Sequence, residues 1–134
     1  MELDLNLGQE LRATGEPAAQ RLTLYIPNKD RSDQVVADHP RWVKEAHELL
    51  TRIGRGATAL PPVDGSWERP DGTVLWEMTR IIYTFIDPDR LAANFARLRE
   101  FLHRFGRETV QGEVRFEFDG WLWTITHFDP APKG

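Results

Sequence analysis

Two glycine turns constrain this chain more than any other feature. Arg69-Pro70-Asp71-Gly72 and Asp119-Gly120 each lie between runs of alternating apolar residues. Proline then glycine at that spacing suits a type I turn followed by a bulge, and Asp-Gly suits a two-residue hairpin turn. Each turn therefore commits its flanks to an antiparallel pair and decides which residues face one another. The first pairs Trp67 with Leu75 and sets Gly65 opposite Glu77. The second places Val114, Phe116 and Phe118 on one face with Trp121, Trp123 and Ile125, an expected core face.

The remaining elements follow from periodicity. "RLTLYIPN" alternates Leu22, Leu24 and Ile26 against Thr23 and Tyr25, a half-buried strand that Pro27 stops. A helix begins near Pro40, carries Val43, Ala46, Leu50 and Ile53 at helical spacing, and is expected to stop at Gly54. Asp87-Pro88 opens a second helix with an expected buried stripe of Leu91, Phe95, Leu98, Leu102 and Phe105, ended by Gly106. The order β-α-β-β-α-β, with one extra C-terminal strand, predicts an α+β fold of the ferredoxin-like, split βαβ kind. In it an antiparallel sheet carries two helices on one face. Residues 21–128 form this single domain. Residues 1–20 are an extension in which "LDLNLGQEL" makes a short strand or turn, and 129–134 are expected to be a flexible tail.

In that topology four stretches distant in sequence meet at one end of the sheet: "PNKD" (27–30), "DHP" (38–40), "ERPDG" (68–72) and "GRETVQGE" (106–113). The last is longer and more polar than a helix-to-strand connection needs. The meeting point brings Asn28, Lys29, Trp67, Arg107, Glu108 and Gln111 forward as candidate ligand-binding residues. Lys29, Arg69 and Arg107 would suit an anion, while Asp30, Glu68, Glu108 and Glu113 would pair with those bases in a solvated rim. Glu77 is the candidate catalytic residue. Regular alternation sets it beside Leu75, Ile81, Tyr83 and Phe85, read as the core face, with only Gly65 opposite. A carboxylate in such surroundings has its charged form disfavoured and can act as a general acid or base. A bulge near 77–79 that turns it to solvent, or a buried hydrogen bond, would give it a structural role instead.

Other classes of function are set aside by what the sequence lacks. The net charge of −4 argues against nucleic-acid binding, which needs clustered positive charge. Arg90, Arg97 and Arg104 form a stripe better explained as a solvated helix face. No run approaches membrane-helix length and there is no cysteine, so a cytoplasmic protein is expected. His39, His47, His103 and His127 lack ligand spacing, so neither a metal nor a cofactor is expected. The second face of strand three, with Val74, Trp76, Met78, Ile82 and Ile86, is unusually apolar. It points to cover by the N-terminal segment or by a second copy in a homo-oligomer, most simply a dimer.

In "GATALPPVDGSWERPDGTVLWE" and "GRETVQGEV" the chain resembles small bacterial proteins of ferredoxin-like type whose function is uncharacterised. The shared features are a G-x-T segment after helix one, a G-x-W hairpin, a glutamate on strand three and a Q-x-x-V-like segment after helix two. The resemblance runs over about residues 21 to 118 and implies the fold without a reaction. A weaker resemblance is to the PII signal-transduction family, trimers of the same unit that bind adenine nucleotides between subunits. It implies a site formed by 62–73 and 106–113. Here the first connection is short, "RETVQ" stands in place of the glycine-rich phosphate loop, and Glu113 stands where a basic residue is expected. Three functions remain open: a binding or regulatory domain for a small molecule, a small enzyme using Glu77 on an anionic substrate, and a protein-interaction module of a toxin or defence operon.

Overall fold

A computed structural model describes residues 6–133. Its elements in chain order are α1 (Leu7–Glu10), β1 (Arg21–Pro27), α2 (His39–Gly54), β2 (Thr58–Ala59), β3 (Val63–Glu68), β4 (Val74–Phe85), α3 (Pro88–Ala93), α4 (Phe95–Glu108), β5 (Val114–Phe118) and β6 (Trp121–Ile125). The sheet runs β2-β4-β1-β5-β6, with β3 also on β4, and every pairing is antiparallel. This is the ferredoxin-like α+β arrangement with an added edge strand.

Both hairpins take the registers that their turns dictate. Trp67 pairs with Leu75, Gly65 with Glu77 and Phe118 with Trp121. Gly72 adopts φ +88°, and Asp119 and Gly120 adopt +54° and +82°, the left-handed region such turns require. The strand expected before the first turn is broken in two by Pro61-Pro62, which have no N–H to donate to β4. The pairing slips by one residue across them, from Ala59↔Ile82 to Val63↔Thr79.

The core lies between the sheet and the long helices. Leu22, Leu24 and Ile26 of β1 and Ile82 of β4 meet Ala46, Leu50 and Ile53 of α2 and Phe101, Leu102 and Phe105 of α4. This corrects the reading of β4. Leu24 pairs with Ile82, so Ile82 and Ile86 are core, while Glu77, Ile81 and Tyr83 lie on the face turned away from the helices. Val74, Trp76 and Met78 share the face of Ile82 but lie toward the hairpin turn, and they stay exposed. The N-terminal segment does not cover them in the described residues: where a short strand or turn is expected in "LDLNLGQEL", α1 forms one helical turn that buries nothing, and residues 3–5 of that stretch lie outside the described residues.

The second helix also differs from expectation. It is interrupted at Asn94, which caps both α3 and α4, and the interruption shifts the helical phase. Phe95 is left 60% exposed and Phe101 takes the core position. Gly106 does not end α4; the ring of Phe128 packs against it, within 2.2 Å of where a Cβ would stand. The helix closes instead with Gln111 N–H donating to the Gly106 carbonyl at 2.9 Å and Val110 at φ +54°, an uncommon conformation for a β-branched residue. Trp121 and Trp123 share the helix-facing side but sit on edge strand β6, 71% and 54% exposed. At the C-terminus Asp129 is held by α4: its carboxylate accepts from Arg99 Nε at 2.9 Å and its N–H donates to His103 Nδ1 at 2.8 Å.

Candidate functional site

The loops expected to converge do so. Arg31 N–H donates to the Val110 carbonyl at 3.0 Å, and Gln111 Nε2 donates to the Lys29 carbonyl at 2.9 Å. Asn28 ties itself to β4, accepting from Met78 N–H at 2.9 Å through its side chain. Trp67 lies over Gly112, 3.2 Å from where a Cβ would stand, so the absence of a side chain at 112 is what lets the indole pass. His39 closes the same end, its Nε2 2.9 Å from the Ile26 carbonyl.

These contacts build one side of a cleft of about 400 Å³ that the sequence placed only in part. Its floor is the open face of the sheet, with Tyr25 from β1 and Glu77, Thr79 and Ile81 from β4. Residues 63–67 of β3 form one wall, and residues 111–115 with Glu117 and Leu122 form the other. Of the candidate residues, Glu77, Trp67 and Gln111 line it. Asn28 and Lys29 support its rim through the bonds above. Arg107 and Glu108 do not take part: Arg107 turns to the C-terminal segment, donating to the Asp129 carbonyl at 2.6 Å, and Glu108 is exposed. Sequence reasoning centred on loops misses Tyr25, Arg115 and Glu117, which lie within strands. Their signal was present, since each strand's polar positions alternate with its core residues.

The electrostatics of the cleft are acidic. Glu77, Glu113 and Glu117 line it against a single arginine, Arg115, which is held by Glu113 at 2.7 Å; Asp64 pairs with Met78, so its carboxylate starts from the opposite face of the sheet. Tyr25 donates its hydroxyl to Glu117 across the β1–β5 pair. Burial, reinforced by that bond, pushes the phenol up to about 12, so it remains a donor at neutral pH. Glu77 is half-buried with no hydrogen-bond partner of its side chain among the described residues. Burial raises its pKa from 4.5 to about 7, against the opposing pull of Lys29 and with a small push from Asp33.

That shift has a signed consequence for stability. Between pH 4.5 and about 7 the folded state binds more protons than the unfolded chain, so stability falls as pH rises through that window. Glu77→Gln removes the effect. Thermal unfolding followed from pH 4 to pH 8 is expected to show the variant gaining on the wild type, chiefly between those two values. A constant difference between the two proteins would place Glu77 in full contact with solvent.

No protein-family model matches this chain, and no curated protein matches it either. Among solved structures, a phage SAM lyase in complex with S-methyl-5'-thioadenosine is similar over 84% of this chain and 92% of its own, with TM-score 0.58 and 11% identity. A phage SAM lyase in the apo state is similar over 86% and 97%, with TM-score 0.53 and 15% identity. At such identities the likeness is one of fold, a small α+β sheet protein. Among the described residues no helix is long and apolar enough to cross a membrane, and no group of three or more histidines and carboxylates is placed to hold a metal ion.

Proposed function

We propose that this protein binds a small, positively charged organic molecule with a planar group, of the S-adenosylmethionine type, in the cleft on the open face of its sheet. The observation that carries this reading is the lining itself: Glu77, Glu113 and Glu117 against one already paired arginine, beside the indole of Trp67. A compact cation gains from that field, and an aromatic face supports both a cation and a stacked base. The anionic ligand suggested by Lys29 and Arg107 is less well served, because Lys29 is engaged with Asp33 at 2.7 Å and Arg107 faces elsewhere. The fold shared with the phage SAM lyases lends support, since one of them holds S-methyl-5'-thioadenosine.

Titration calorimetry at pH 6 and pH 8 tests the reading. S-adenosylmethionine is expected to bind more tightly at pH 8, where Glu77 is ionised, and Glu77→Gln to flatten that rise. S-methyl-5'-thioadenosine, which lacks the sulfonium charge, is expected to bind with little dependence on Glu77. No binding of either compound would end the proposal.

A catalytic version is favoured by the placing of Glu77, a half-buried carboxyl lining the cleft with no hydrogen-bond partner among the described residues, whose pKa burial pushes up to about 7. A base of that strength accepts a proton readily at physiological pH. Breakdown of S-adenosylmethionine, followed by chromatography, should then disappear in Glu77→Gln while binding persists. Self-association is also part of the proposal, with a second copy of the chain covering the exposed Val74, Trp76 and Met78. Sedimentation should give a mass above that of one chain; a monomer at all concentrations would remove it.

A further inference from the structure

Beside Trp67 the molecule has a second cavity, lined by Arg31, Arg69 and Arg115 together with Glu68, Asp71 and Glu113. It adjoins the first: Trp67, Gly112, Glu113 and Arg115 are common to both cavities, while Glu77 lines only the first. The charges are equal in number but not in availability. Glu113 is taken by Arg115 at 2.7 Å. Asp71 is taken by the turn it belongs to, accepting from Thr73 N–H at 2.9 Å and from Thr73 Oγ1 at 2.6 Å. Glu68 pairs with Val74 on the sheet, one position out of phase with Trp67, so its side chain starts from the opposite face.

The two remaining arginines, Arg31 and Arg69, are in no ion pair among the described residues, although the charge of Arg69 is felt by Asp33 and Asp71, whose carboxylates bond Lys29 and Thr73. Arg69 Nε is also shut off from solvent with no hydrogen-bond acceptor, which is rare for a group that carries charge. Folding tolerates a dry, unpaired guanidinium N–H poorly, and the terminal nitrogens of the same guanidinium, bonded to nothing among the described residues, would take a planar anion offering two oxygens. The backbone holds both residues in place. Arg31 is fastened to the Val110 carbonyl, and Arg69 N–H donates to the Thr73 carbonyl at 2.8 Å within the hairpin turn.

We infer that Arg31 and Arg69 form an anion subsite, adjoining the main cleft through their shared wall of Trp67 and Gly112, that takes a carboxylate carried by the ligand of that cleft. The inference rests on the cleft reading for its ligand and adds to it a chemical class. The ligand is zwitterionic, with its cation toward Glu77 and a carboxylate toward the arginines. S-adenosylmethionine carries both groups, whereas S-methyl-5'-thioadenosine carries neither.

Heteronuclear NMR of the Arg69 Nε–H, with calorimetry alongside, tests it. Adding S-adenosylmethionine is expected to shift that resonance, and adding S-methyl-5'-thioadenosine to leave it in place. Inorganic phosphate should shift it saturably in the wild type and in Glu77→Gln, but not in Arg31→Gln. Arg31→Gln, an exposed loop substitution, should weaken S-adenosylmethionine by about tenfold, the usual loss for one charge-assisted hydrogen bond, and leave S-methyl-5'-thioadenosine unaffected. If phosphate moves the Arg69 signal but neither nucleoside binds, the anion subsite stands and the cleft reading falls. If both nucleosides bind while Arg69 responds to neither S-adenosylmethionine nor phosphate, the subsite is overturned and the cleft reading survives. Silence toward all three overturns both.

Discussion

Phe105→Ala is expected to cost about 3–5 kcal/mol, the range for removing a fully enclosed aromatic ring, and to bring the domain close to its unfolding threshold. Phe105 is fully buried where α4 crosses α2. Its ring meets Trp42 edge-on at 5.3 Å and stacks near Phe101 at 6.4 Å, so the hole would open at the junction of both helices with the sheet. Urea unfolding should show a lower midpoint with an unchanged slope. Phe95→Ala is the informative control. Plain helical spacing makes Phe95 and Phe105 equivalent members of one stripe, yet the interruption at Asn94 leaves Phe95 in solvent. That substitution is expected to stay within about 0.5 kcal/mol of wild type. Similar losses for both phenylalanines would mean that α3 and α4 form one continuous helix.

Gly54→Ala is expected to be the second most damaging change, at about 1–3 kcal/mol or more. A Cβ there would lie 1.8 Å from Thr84 Oγ1 and 2.5 Å from the Phe85 carbonyl oxygen. The second neighbour is backbone, so no rotamer change relieves it; the end of α2 must lift from β4. Gly56→Ala, two residues on, meets nothing within 4 Å and should be nearly silent. The same comparison revises what Gly54 is for. Its position suggests a helix stop, but Arg55 adopts the left-handed turn at φ +71°, and Gly54 serves the close approach of helix to strand.

The candidate site was legible in the sequence to the extent that its parts are local. Trp67, Gly65 and Glu77 could be set against one another because a hairpin turn determines its own register over the next few residues. The meeting of 27–30 with 106–113 followed from topology alone, and Gln111 bonded to the Lys29 carbonyl is the realised form of it. Arg107 and Glu108 were misplaced for a reason of one or two residues. The helix continues past Gly106 to Glu108, which carries both side chains around to the far side of α4 from the cleft.

The main order of strands and helices, the two hairpin registers and the α+β class could therefore be read from the chain alone, because turn chemistry and short-range periodicity carry them. Which face of β4 meets the helices was beyond it, because that strand is apolar on both sides: Leu75, Ile81 and Tyr83 on one, Trp76, Met78 and Ile82 on the other. Alternation tells the two faces apart only when one of them is polar. The choice was made by the pairing of Leu24 with Ile82, two residues 58 positions apart in the chain. That single long-range register sends Ile82 into the core and turns Glu77 to the open face. There Tyr25, Glu117 and Trp67 gather around it as a cleft that only the tertiary structure creates.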